Sequence, residues 1–129
     1  MWPKEVIPDE SGVLMRVHKN CIPDGEIRPN IFREQEGALS VDWDKYATPE
    51  DTRSRGRSPA DNGVVCMNVG AIRVINSLTV EHDPVQEGAI DERGAAISPN
   101  RAHSVVFGVG RDPERRVALS RICIWMLRF

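Results

Sequence analysis

Two histidines, His82 and His103, each border a β-patterned run and flank a stretch of mostly small and polar residues. Imidazole changes charge near neutral pH, so a converging pair can serve as general acid and base or hold a metal. The pair converges if the strands at 78–82 and 103–109 are neighbours. The competing expectation puts each ring at a strand end, one bonded to backbone and one to solvent. A second group combines Arg16 and His18 on one face of a strand with Ser40 and Asp42 on the next. A guanidinium in such a patch can fork onto a phosphate or carboxylate. The alternative is the solvated face of a half-buried antiparallel sheet. Arg53, Arg55 and Arg57 form a third group near a helix end, where the dipole alone favours cations and phosphate or RNA binding is the functional alternative. No aromatic residue lies among them to stack bases. Gly108-Val109-Gly110 lacks the third glycine and the lysine of a phosphate loop, and no GxSxG, HExxH or Walker pattern occurs. Ser98 and Ser104 have no nucleophile context.

The elements that must position these residues follow from alternation and turn chemistry. A Pro-rich extended segment spans 1–12. In the first strand, 13–18, Val13, Met15 and Val17 share one face, and Leu14, Arg16 and His18 the other. Pro23-Asp24-Gly25 is a turn, and Pro29 opens a short helical turn that ends by Gly37. Strands follow at 38–43, 64–69, 78–82 and 103–109, the most apolar being 64–69. The segment 71–76 reads equally as a helical turn or as more strand. Thr48-Pro49-Glu50-Asp51 starts a helix over 49–55, with a cap, a proline at the first position and acids in the first turn. Asp112-Pro113 repeats the signal for a helix over 113–127. The stretch 85–101, with Gly88, Gly94 and Pro99, is expected to be a long exposed loop, which in a small domain suggests function or mobility. These elements predict a single α+β domain: a small mixed, mostly antiparallel sheet of four to five strands with two or three helices.

Composition narrows the function classes. The net charge is −2, so the basic excess that supplies most nucleic-acid affinity is missing. Cys21, Cys66 and Cys123 are odd in number and widely spaced. No zinc motif can be assembled from them, and they read as reduced thiols of a cytoplasmic protein. The first residues lack the apolar core of a signal peptide, and no apolar run approaches a membrane span.

Leu14-x-Arg16, Ile27-Arg28-Pro29 before Phe32, Leu39-Ser40-Val41, Val80-x-His82-x-Pro84 and Ala102-His103 before Gly108 form a spaced pattern over most of 14–108. In this pattern the chain resembles a family of small bacterial proteins of unknown function. Arg16 on a first strand, a turn at Asp24-Gly25, then Leu39-Ser40 and a following helix are similar to the opening of small ADP-ribosyltransferase-like folds, including RES-type toxins that attack NAD. That resemblance implies NAD as cofactor or substrate, oriented by Arg16, with Ser40 on the nicotinamide ribose side. The glutamate that completes such sites has a counterpart only by position, Glu81.

Two function classes result. The first is an interaction or accessory domain, a homo-oligomer or the companion of a larger protein. It uses the C-terminal helix, which is apolar on too many sides for a surface helix, with Trp125 and Phe129 as anchors. The second is a small enzyme acting on NAD or a phosphorylated ligand at a polar site of Arg16, Ser40, His82 and His103. The sequence favours the first, because no complete catalytic set can be assembled. A deep pocket at Arg16 reverses that order.

Overall fold

Six strands form one sheet: β1 (Gly12–His18), β2 (Ala38–Trp43), β3 (Asn62–Asn68), β4 (Thr79–His82), β5 (His103–Phe107) and β6 (Ile124–Leu127). The computed structural model describes residues 1–32 and 37–129. The strand order is β4-β5-β2-β1-β3-β6, and every pairing is antiparallel. Expected alternation holds along β1. Val13, Met15 and Val17 are buried in the main core, and Arg16 on the opposite face is exposed.

The two faces are covered differently. On one, α2 (Val69–Arg73) and α3 (Pro113–Ile122) contribute Ile72 and Leu119 to a core with Met15, Val41, Trp43 and Met67. All six are buried, each side chain worth roughly 1.5–3 kcal/mol in removed apolar surface. On the other, α1 (Pro49–Ser54) packs over β1 and β3 beside a small cluster of Leu14, Ala47, Val64 and Ala102. Thr48 starts α1 with a reciprocal capping box. Its hydroxyl accepts from the Asp51 N–H (3.2 Å), and its own N–H donates to the Asp51 carboxylate (2.9 Å). The backbone donation from Thr48 holds the Asp51 carboxyl below its ordinary value.

The sheet is not uniformly joined. β1 shares seven rungs with β3, and β2 shares five with β5. β1 and β2 share only Val13↔Trp43 and Leu14↔Asp42. Beyond Leu14 the ladder between them stops.

Several expectations need correction. The sheet has six strands rather than four to five and is wholly antiparallel rather than mixed. It centres on β2 and β1, with the 64–69 run one strand in from an edge. The helix expected over 113–127 stops at Ile122. Cys123 is extended (φ −70°, ψ 137°), and β6 pairs with β3. The reason lies in residue type and in a free edge. Ile124 and Trp125 favour strand over helix, and β3 offers ladder groups with which β6 pairs. Close approach at Gly63 completes the join. A Cβ there would lie 2.7 Å from the Trp125 ring and 2.8 Å from the Leu127 carbonyl. The ambiguous 71–76 stretch resolves partly into α2, capped by Asn68, whose side chain accepts from the Ala71 N–H (2.8 Å). Pro29–Ile31 forms the expected helical turn, whose continuation over 33–36 lies outside the described residues.

The 1–12 segment is tied down at several points. Gln86 clips the Trp2 backbone with two hydrogen bonds, 2.9 and 2.7 Å. Glu5 binds Lys45 (2.8 Å) and the Tyr46 hydroxyl, partners that hold its carboxyl below the usual range. Cys21, Cys66 and Cys123 are free thiols, and burial pushes Cys123 up to about 12, where it is inert. Among the described residues, no helix is long and apolar enough to cross a membrane.

Candidate functional site

A cleft of about 1030 Å³ opens on the α1 side of the sheet, where β1 and β2 part. Residues of both parities, Met15 and Arg16 on β1 and Ser40 and Val41 on β2, border it. The β1–β2 ladder ends at Leu14↔Asp42, beside this lining. The volume lies at the upper end of the range for small-molecule pockets, roughly 300–1,000 Å³.

Three of the four residues singled out for chemistry meet here: Arg16, Ser40 and His103 all line the cleft. The antiparallel registers explain why. Two residues past the Leu14↔Asp42 rung, Arg16 on β1 and Ser40 on β2 come level on the same face. Asp42↔His103 then places the His103 ring on that face of β5. His103 Nδ1 lies 2.7 Å from the Asp83 carbonyl and must donate to it, so Nδ1 carries the proton. Nε2 is left as an acceptor, and the Ser40 hydroxyl lies 3.4 Å from it. That distance is long for a hydrogen bond.

His82 does not join them. It pairs with Ser104, the residue after His103, so alternation sends the two rings to opposite faces of adjacent strands. The expected convergence failed on parity, which neighbouring strands alone do not fix. His82 is 2% exposed and fully engaged. Its Nδ1 accepts from the Glu5 N–H (3.0 Å), and its Nε2 donates to the Arg101 carbonyl (2.6 Å). Its ring packs against Trp43 and Tyr46. His18 caps the 3-10 turn Lys19–Cys21 by accepting from the Asn20 N–H (3.1 Å), and it does not line the cleft. Glu81 falls in the same cross-strand row as Ser40, through Val105. It is exposed and two strands beyond, about 10 Å by strand spacing.

Asp42 organises the cleft walls. Buried at 5% exposure, its carboxylate accepts from the Thr52 hydroxyl (2.7 Å) and the Asn100 amide (2.8 Å). One bond ties α1 to the sheet, and the other ties down the end of the 85–101 segment. That segment is mostly exposed but not structureless. It folds back through Val85↔Asn100 and Ile90↔Ala96, and Asp91 braces its tip by accepting from the Arg93 and Ala95 N–H groups (2.8 and 2.9 Å). Alternation indicated that Asp42 belongs to the polar patch. Nothing in the sequence marked Thr52 or Asn100 as its partners, since they lie 10 and 58 residues away.

The electrostatics favour an anion. Among the described residues, Arg16, Arg55 and Arg57 line the cleft, and the two carboxylates there, Asp42 and Asp91, are already engaged by donors of the protein. Arg16 donates to the Thr52 carbonyl through Nη1 (3.0 Å), which anchors its guanidinium near the end of α1. The chain passes so close at Gly56 that a Cβ there would lie 2.8 Å from the Arg16 Cδ. Arg55 donates to the Pro99 carbonyl (3.0 Å) and so joins the α1 end to the 85–101 segment. The arginine cluster, read as a helix-dipole feature, thus contributes two of its members to the cleft. Among the described residues, no cluster of three or more His, Cys, Asp or Glu is placed to hold a metal.

No protein-family model, curated protein or solved structure matches the chain.

Proposed function

We propose that the cleft binds a phosphate-bearing nucleotide of the NAD class and that the protein acts as a small ADP-ribosyltransferase-like enzyme. One observation carries this reading: Arg16, Ser40 and His103 line a single cavity of nucleotide size, with Arg55 and Arg57 beside them. The cavity at Arg16 is what favours placing the enzyme reading first. Guanidinium groups suit a pyrophosphate. The exposed Ser40 hydroxyl and the His103 Nε2 acceptor suit the ribose hydroxyls. The resemblance of the Arg16 and Ser40 strands to ADP-ribosyltransferase-like folds supports NAD among such ligands.

Calorimetric titration with NAD, ADP-ribose and inorganic phosphate tests it. NAD and ADP-ribose are expected to bind, phosphate more weakly, with affinity falling as salt screens the arginines. Ser40→Tyr, which fills the cleft from an exposed strand position, is expected to abolish binding while leaving thermal unfolding near wild type. If neither nucleotide binds at millimolar concentration, the reading is wrong.

A second reading, as an interaction domain, is favoured by β6. The strand is a sheet edge, and Ile124, Met126 and Phe129 are exposed at 66%, 47% and 46%. Phe129 packs edge-on against Trp125, which is half-buried on the main core. The surface therefore belongs to a strand and its flank, not to the helix that the sequence suggested. We propose a second copy of the chain as its occupant, with β6 paired antiparallel to β6. The run Ile124–Leu127 is uncharged, so self-pairing sets no like charges opposite one another. Light scattering is expected to show a dimer that Met126→Lys dissociates. A wild-type monomer at high concentration would remove this reading.

A further inference from the structure

We infer that His103 is the proton acceptor of the cleft, drawing the proton of an attacking water or alcohol through the Ser40 hydroxyl when the bond from ribose to nicotinamide breaks. The inference rests on the NAD-class reading and extends it from binding to chemistry. It begins from the tautomer. Because the Asp83 carbonyl takes the Nδ1 proton at 2.7 Å, His103 presents a bare Nε2 to Ser40. A backbone carbonyl cannot swing away, so in the neutral ring the proton sits on Nδ1 and the Nε2 lone pair faces Ser40. When Nε2 gains a proton, the same carbonyl still accepts from Nδ1, and the imidazolium is steadied where it forms. Ser40 is exposed and level with Arg16, and its oxygen can accept from an incoming hydroxyl while its own proton points at Nε2. Among the described residues, no carboxylate lining the cleft is free to do this work. Asp42 is spent on Thr52 and Asn100, Asp91 on its own turn, and Glu81 stands outside the cavity lining.

The step balances as follows. The attacking oxygen forms a bond to the anomeric carbon of the nicotinamide ribose. The bond from that carbon to the pyridinium nitrogen breaks, and its electron pair stays with nitrogen, so nicotinamide leaves neutral. The attacking O–H passes its proton to the Ser40 oxygen as the Ser40 proton moves to His103 Nε2, from which it returns to solvent. The acceptor is thus a hydroxyl compound or water, the class whose proton must be removed during attack. Among the described residues, the charged groups sharing the cavity with the ring are Arg16, Asp42, Arg55, Arg57 and Asp91, and Lys4 lies 3.6 Å from the Asp83 carboxylate.

The test uses the full chain with NAD. Calorimetry reads binding, and chromatography reads nicotinamide release across pH, for wild type, His103→Gln, His103→Ala and Ser40→Ala. Wild type is expected to release nicotinamide along an acid limb of unit slope. His103→Gln is expected to bind NAD near wild-type affinity, to release nicotinamide about 10²–10⁴-fold more slowly, and to lose the acid limb. Added imidazole is expected to restore part of the rate to His103→Ala, a rescue that a purely structural histidine would not show. NAD binding without release by wild type, or release by His103→Gln at an unchanged rate and pH profile, overturns the inference and leaves the binding reading intact. Failure of wild type to bind NAD overturns both.

Discussion

Asp42→Ala is expected to destabilise the fold by about 2–5 kcal/mol and to abolish ligand binding in the cleft. Asp42 is a buried acceptor with two donors, the Thr52 hydroxyl and the Asn100 amide. Removing it strands both donors. A buried group left without a partner costs about 1–3 kcal/mol, more where the lost partner was charged. The functional loss follows from what the donors belong to. Thr52 sits in α1 and is also the carbonyl on which the Arg16 guanidinium rests. Asn100 anchors the end of the 85–101 segment, whose residues form the far wall. Both walls and the principal cation therefore depend on one carboxylate. Urea unfolding with calorimetric titration of NAD separates the two effects. Asp42→Asn keeps an acceptor for one donor and is expected to fall between the alanine variant and wild type. A midpoint unchanged by Asp42→Ala would show that these bonds do not hold the walls.

His82→Ala is expected to cost about 2–4 kcal/mol in stability and to leave cleft chemistry unchanged in the protein that remains folded. The ring fills space between Trp43 and Tyr46 and makes two hydrogen bonds. Truncating a large buried side chain leaves a cavity whose cost adds to that of the lost bonds. Its partners, the Glu5 N–H and the Arg101 carbonyl, lie in the N-terminal segment and at the base of the 85–101 segment. The water-accessible side of these segments limits the penalty. The pair of variants makes a sharp contrast. His103→Gln should lose rate and keep stability, whereas His82→Ala should lose stability and keep rate below its melting transition. Nicotinamide release that falls equally in both would refute the separation of the two histidines onto different faces.

Local signals in this sequence were physically strong where one residue decides the outcome. Thr48-Pro49 and Asp112-Pro113 located the starts of α1 and α3, because a cap and a fixed proline φ act within one turn. Alternation assigned Arg16, Ser40 and Asp42 to a polar face, because strand side chains have a strict period of two. It could not say that β1 and β2 part after two rungs, which is what turns a polar face into a cleft. The cleft walls there, α1 and the 85–101 segment, are held through Asp42 by contacts between residues distant in the chain. The histidine pair shows the same limit. Each residue was legible as unusual, but their relative face depends on the β4–β5 register, and one residue of register moves a side chain to the other side. The run Ile122–Leu127 carried apolar character that suits helix or strand. The unpaired edge of β3 decided for strand, because a ladder of backbone hydrogen bonds is available only once the sheet has formed. The sequence by itself determined which residues are apolar, which can cap and which can titrate. Tertiary structure decided which of them meet, because meeting is settled by register and by long-range hydrogen bonds that no local window contains.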